Sequence, residues 1–391
     1  MMPVGAIARG LRAPLIKAGD DIAQIVVDSV MSAAKATNFE LKDRDIIGVT
    51  EAVVARAQGN YASCEQIAAD IRAKYPGGTL AITFPILSRN RFSNILKGIA
   101  QGCDKLYIML SYPADEVGNE LISWEMLDKA DVNPYTDMLT EEEYRVKFGY
   151  DTTHVFTKVD YVKYYKSFGD HIEVIFANDV RRILGFTKNV LCCDIHTRFR
   201  SKRLLKEAGA QIVYGLDDVL SYSVDGSGYN EQYGLLGSNK ATEDSLKLFP
   251  RDCEDVVNKI SQKIKEASGK QVEVMVYGDG AFKDPVGHIW ELADPVVSPA
   301  FTPGLGGTPN ELKLKFLIDN DFAEKSGDDL KEALDAAIKA KTGSLEDKAL
   351  GTTPRRYTDL IGSLCDLMSG SGDKGTPIIL IQGYFDNYAS E

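Results

Sequence analysis

The chain has 391 residues, 44% of them hydrophobic and 26% charged, with a formal net charge of −12. That composition belongs to a globular chain of about two domains, long enough to bury a core without disulfide or metal staples. An acidic balance excludes a non-specific nucleic-acid binder, which needs clustered Lys and Arg, but leaves room for a local basic pocket. The 6 cysteines are scattered and make no CxxC, so they read as buried reduced thiols of a cytoplasmic protein. Arg9 and Arg12 break the apolar start, and no apolar run reaches the ~18 residues of a membrane span.

In chain order, residues 20–37 read as an amphipathic helix with Ile22, Ile25, Val26, Val30 and Met31 on one face, capped by Asp20 or Asp21. Residues 45–55 read as a buried strand running on through Val53 and Val54, and 61–75 as a helix. Strands are expected at 79–83 and 104–111, with a helix at 92–101 between them. Residues 112–170 are polar and Tyr-rich, with short helices at most. From 171 to 218 strands alternate with helices, the pattern of a parallel α/β unit. A Gly, Ser and Tyr-rich loop follows, then a helix at 252–268 and a strand at 272–277. Residues 295–310 read as a loop, 327–341 as a helix, and 354–368 as a helix with Pro354 at its start. It runs into SGSGDKG and the apolar strand PIILIQGYF.

Several groups of residues carry chemistry. SGSGDKG exposes backbone N–H groups suited to phosphate oxygens, although it follows a helix C-terminus, where the dipole opposes an anion. Tyr277-Gly278-Asp279-Gly280 ends a strand and places a carboxylate where α/β scaffolds hold hard metals; the plain alternative is an Asp-stabilised turn. Arg89 and Arg91 in SRNRF suit a carboxylate or phosphate, or a solvated helix entry. Cys192 and Cys193 lack partners at zinc spacing and read as buried thiols. The 187–214 unit has no GxGxxG, which argues against a nicotinamide oxidoreductase, and the chain has neither a P-loop nor a GxSxG motif.

Three segments together resemble the coenzyme F-420 gamma-glutamyl ligase family. They are APLIKAGDD at 13–21, DRDIIGVTEAVVARAQG at 43–59 and TDLIGSLCDLMSGSGDKGTPIILIQG at 358–383. LLGSNKA at 235–241 and VEVMVYGDG at 272–280 are weaker matches, at the family's two metal-binding Asp segments. The resemblance implies an α/β to α+β fold with mixed sheets, in which residues 1–75 and 235–391 form the ligase-like domain and 76–234 a large inserted α/β region. It implies a GTP- or ATP-dependent amide ligase that needs Mg or Mn, joins L-glutamate to a small carboxylate acceptor through an acyl phosphate, and forms a homodimer.

By position, Pro14, Leu15, Ile16, Glu51, Arg56, Thr242, Gly370, Ser371, Gly372, Asp373 and Gly375 would meet the nucleotide. Arg56 stands for a phosphate-binding Lys and, with Asp279, would be catalytic. Asp279 and Asn239 would be the metal positions, and Arg89 and Arg91 would hold the acceptor's carboxylate. Asn239 replaces a family Asp, Gly370 or Ser371 a family Glu, and Glu51-Ala52 a Ser-Thr pair. These departures leave open a folate-type or other acceptor, and a catalytically weakened nucleotide- or metabolite-binding protein.

Overall fold

The structure is a computed structural model that describes residues 4–150, 152–154, 157–278, 298–341, 356–369 and 372–390. The first strand, β1 (Ile7–Leu11), leads into α1 (Ile22–Thr37), where Asp21 accepts the Gln24 N–H at 3.2 Å as N-cap and Asn38 ends the helix in the left-handed region. β2 (Ile46–Thr50) passes directly into α2 (Glu51–Ala57), and β3 (Tyr61–Ser63) into α3 (Cys64–Lys74). Then come β4 (Thr79–Thr83), α4 (Ser93–Gln101) and β5 (Lys105–Leu110). The 112–170 stretch holds α5 (Trp124–Lys129), β6 (Leu139–Thr140), α6 (Glu141–Phe148) and α7 (Tyr161–Lys166). β7 (Ile172–Phe176), β8 (Asn189–Cys192), α8 (Arg198–Glu207) and β9 (Ile212–Gly215) follow. After a long loop come β10 (Asn239–Thr242), β11 (Ser245–Lys247), α9 (Cys253–Ser268), β12 (Glu273–Tyr277) and β13 (Ala300–Phe301). The last elements are α10 (Leu314–Asp319), α11 (Gly327–Ala340), α12 (Tyr357–Ser369) and β14 (Ile378–Gln382).

These strands make three sheets, so the mixed α/β expectation holds. The first has the order β1-β14-β2-β12-β13, with β12 parallel to β2 and the other pairs antiparallel. Its strands are apolar because both faces are covered. Ile47, Val49, Val274 and Leu380 pack against Val26 and Val30 of α1 and Val257 and Ile260 of α9. Ile46, Met275 and Ile379 point the other way, onto Ile361 and Cys365 of α12. At Gly48 a Cβ would lie 2.5 Å from the Cys365 sulfur, so only glycine lets α12 sit this close to β2.

The largest sheet has the order β6-β7-β5-β4-β8-β9, parallel except for the edge strand β6. Its faces again divide by alternation. Leu80, Ile82 and Ile108 pack with α3 and α4, while Ala81, Met109 and Val190 pack with Leu205 of α8. The hairpin β10-β11 pairs with β3 as a third, small sheet. One continuous apolar cluster gathers residues from Ala62 to Leu248, so β3 and β11 share a core with the six-stranded sheet.

Two sequence expectations need correction. The strand read through Val53 and Val54 stops at Thr50. Residues 51–57 are helical, with Val54, Ala55 and Ala57 buried and Arg56 exposed, and Val54 and Ala57 join the core of the first sheet. The helix read from 61 starts at Cys64, because Tyr61–Ser63 pairs with β11 and Ser63 makes a capping box with Gln66. Pro354 lies outside the described residues. All 6 cysteines are free, as the sequence suggests, and 5 of them are buried. Burial pushes the Cys192 thiol up to about 12 and raises Cys193 well above its ordinary value, so both stay protonated. Among the described residues no helix is long and apolar enough to cross a membrane.

Candidate functional site

Four segments meet at one end of the five-stranded sheet. β2 and β12 are parallel and in register, with Tyr277 opposite Thr50, so both leave the sheet at this end. β14 is antiparallel to them and enters here: the Thr50 N–H donates to the Pro377 carbonyl at 3.0 Å. Leu11 pairs with Ile378, so the segment after β1 emerges here too. The Ala13 N–H then donates to the Gly375 carbonyl at 3.2 Å, and the Gly19 N–H to the Ala57 carbonyl at 2.8 Å. The stretches 12–19, 50–57 and 375–377 are therefore stitched together by backbone hydrogen bonds.

Within this arrangement Ile16 is buried, at 5% exposure, and anchors the first loop, while Pro14 and Leu15 are exposed, Leu15 at 93%. Leu15 thus presents its side chain to solvent beside the anchored Ile16. Arg56, Asp373 and Gly375 are exposed as well. Gly375 has φ +63°, a left-handed turn that lets the chain enter β14. Gly372 and Asp373 begin a single 3-10 turn. Asp279, Gly370 and Ser371 lie outside the described residues; Asp279 is two positions beyond Tyr277 in the chain.

Glu51 is buried, at 2% exposure, at the start of α2, where its charge also favours the helix N-terminus. Both its oxygens accept from the Lys247 ammonium, at 2.8 and 2.6 Å. Lys247 is on β11, directly across the ladder from Asn239 on β10. The structure thus brings Glu51 and Asn239 to the two sides of one lysine. Sequence reasoning missed Lys247, which lies 196 positions from its partner. Thr242 is not part of this cluster. It sits at the far end of the hairpin, exposed, with its carbonyl accepting from Asn94 of α4 at 2.9 Å.

The Arg89–Arg91 turn packs on the same hairpin: the Lys240 N–H donates to the Asn90 carbonyl at 3.0 Å. Arg89 is exposed and Arg91 is buried, so the pair divides. Arg91 lines a cavity that also includes Ser238, the residue before Asn239.

The described donors do not close a cage for a divalent metal. They offer the Glu51 carboxylate, which already holds an ammonium, the exposed Asp373 and the Asn239 amide. Among the described residues no group of three His, Cys, Asp or Glu is placed to hold a metal ion. What the arrangement does offer to anionic groups is the backbone N–H groups of its loops, since the Lys247 charge and the start of α2 are taken up by Glu51.

A mixed α/β chain whose sheet-end loops gather such groups fits an acid–amino-acid ligase, and comparison with known families makes the class definite. Residues 10–383 match the F420-0:Gamma-glutamyl ligase family, and the chain belongs to it. Among curated proteins no significant match is found.

Proposed function

We propose that this protein uses GTP, or ATP, to form an amide bond between the amine of L-glutamate and the carboxylate of a small acceptor. The observation that carries the reading is the convergence of 12–19, 50–57 and 375–377 around Glu51, in a chain of this ligase family. In the proposed reaction an acceptor carboxylate oxygen attacks the γ-phosphorus and the nucleoside diphosphate leaves. The glutamate amine then attacks the acyl carbon of the resulting acyl phosphate, phosphate departs, and the amine loses a proton.

In this reading Pro14, Leu15 and Ile16 border the nucleotide, Arg56 and the 372–375 turn face its phosphates, and Lys247 fixes Glu51 beside them. Most of the work in such a transfer is positioning and charge neutralisation. Mg or Mn belongs to the proposal through Asp279, and no step here depends on it. The 76–234 region, with Arg91, supplies the acceptor side, and a homodimer is part of the same reading.

Calorimetric titration of the full chain with GTP and ATP, with and without Mg or Mn, tests nucleotide binding. Mass spectrometry with labelled glutamate and candidate acids tests turnover. Nucleotide binding with a glutamyl amide product is expected. No binding of either nucleotide overturns the mechanism. Binding without turnover selects the second reading, a nucleotide-binding protein of weakened catalysis, which the engagement of Glu51 by Lys247 favours.

A further inference from the structure

β5 and β7 are parallel neighbours, so the loops that follow them leave the six-stranded sheet on the same side. Ser111 continues β5, and Asn178 lies two residues beyond β7. Beside these loops is an open cavity of about 450 Å³, the size of a small-molecule site. It is lined by residues of the 111–120 stretch, Trp124, Pro134, Tyr135 and Asn178.

Hydrogen bonds fix the backbone around it. Asp115 accepts the N–H groups of Leu87, Val117 and Asn119, at 2.9, 3.1 and 2.8 Å, and the Asn119 amide at 2.8 Å. Glu116 accepts the N–H groups of Ile195 and His196. Asn178 donates to the carbonyls of Tyr112 and Pro134, which ties the start of the stretch to the turn that carries Tyr135. Ser123 caps α5 and so positions Trp124, its first residue.

Two kinds of group remain for a ligand. Trp124 and Tyr135 are left 56% and 83% exposed, although burying an aromatic ring is strongly favourable. The charged residues lining the cavity are Asp115, Glu116 and Glu120, and among the described residues no Lys, Arg or His lines it. Asp115 and Glu116 already serve the backbone, while Glu120 is exposed. Burial raises the carboxyls of Asp115 and Glu116, the latter with a push from the Asp194 charge, a condition that a nearby cation relieves. An anion is repelled by such a lining, and a neutral ring uses the aromatic faces alone. A cation on an apolar frame uses both, because ring faces and carboxylates each attract positive charge.

We propose that this cavity binds a small organic cation, a primary or quaternary ammonium on an apolar frame, held by the Trp124 and Tyr135 rings and by Glu120. The site goes beyond the ligase reading and does not depend on it.

The test is ligand-observed NMR on the full chain at pH 7 and constant ionic strength. Choline and benzylamine are the probes, and 3,3-dimethylbutan-1-ol and benzyl alcohol their uncharged counterparts. Both cations bind, about fivefold or more tighter than the alcohols. Trp124→Ala and Glu120→Gln each weaken the cations about threefold or more. Both side chains are exposed, and thermal melts verify that the variants are folded. Glu125→Gln, next to Trp124 but paired with Lys129 outside the cavity, leaves binding unchanged. Equal affinity for cations and alcohols overturns the proposal, as does absence of cation binding by the native chain. Native affinity in both the Trp124 and Glu120 variants overturns it as well.

Discussion

Replacing Lys247 by methionine isolates the ion pair at the centre of the site. Methionine keeps most of the stem and removes the charge. The Lys247 side chain is 12% exposed and that of Glu51 3%, so water screens the pair little. Both Glu51 oxygens take hydrogen bonds from the one ammonium, at 2.8 and 2.6 Å. Removing one partner of a buried pair costs about 3–5 kcal/mol, because the remaining charge loses that compensation. The residual exposure of Lys247 places the expected loss near the lower end, about 3 kcal/mol, a large part of an ordinary domain's stability. The double variant Glu51→Gln with Lys247→Met removes both charges and should recover to within about 1 kcal/mol of the native chain. Urea unfolding of the four proteins at pH 7, followed by circular dichroism, gives the cycle. If Lys247→Met loses less than about 0.5 kcal/mol, the pair is not desolvated and the description of this end of the sheet is wrong.

Asp217 accepts from Lys202 at 2.9 Å and from Arg198 at 3.0 Å. Burial raises its pKa, but these two cations outweigh it and hold the carboxyl below its ordinary value. A depressed folded pKa stabilises above the unfolded value of 3.8 and is lost as pH falls through the folded one. Asp217→Asn should therefore lose about 2 kcal/mol at pH 7 and converge with the native chain in acid, measured by melts from pH 7 to pH 3. Gly98→Ala puts a Cβ 2.7 Å from the Ile67 side chain and 3.1 Å from the Cys64 carbonyl, where α4 crosses α3. An overpacking loss of about 1–3 kcal/mol is expected by calorimetry, and a neutral result refutes the close approach. Asn60 is fully buried; it donates to the carbonyls of Tyr229 and Phe249 and accepts from the Tyr229 N–H and Arg251. Asn60→Ala should cost about 3 kcal/mol in urea unfolding and open the 229–251 stretch to hydrogen exchange.

Most of both large sheets was legible in the sequence because their central strands are continuous apolar runs. Those around Ile47, Ile82, Ile108, Val274 and Leu380 are buried on both faces and bounded by turn residues. Misreadings came where two periodicities compete. Val53 and Val54 favour extended chain, but the Ala-rich sequence around them and the outward Arg56 suit a helix, and tertiary contact decides it. The start of α3 was marked by Ser63 and Gln66, three positions apart as a capping box requires. Nothing local marks Lys247. A three-residue strand has no readable period, and its meaning lies in a contact with Glu51 across most of the chain. The division of Arg89 from Arg91, one in water and one buried, was equally hidden, since a turn's direction depends on the hairpin it packs against.

The placement of β14 sets the order in which the molecule can be completed during synthesis. The cluster from Ala62 to Leu248 draws on one continuous stretch, so it can collapse while later residues are still being made. The five-stranded sheet cannot. Among the described residues β1 pairs with β14 alone, and β14 follows the other strands. Until residues 378–382 emerge from the ribosome, β1 and β2 present bare edges to solvent, open to mispairing. The loop holding Leu15 gains its bond to Gly375 only then. A nascent chain halted before residue 378 would carry its interior α/β core intact and no closed site, so the last strand to arrive acts as the keystone.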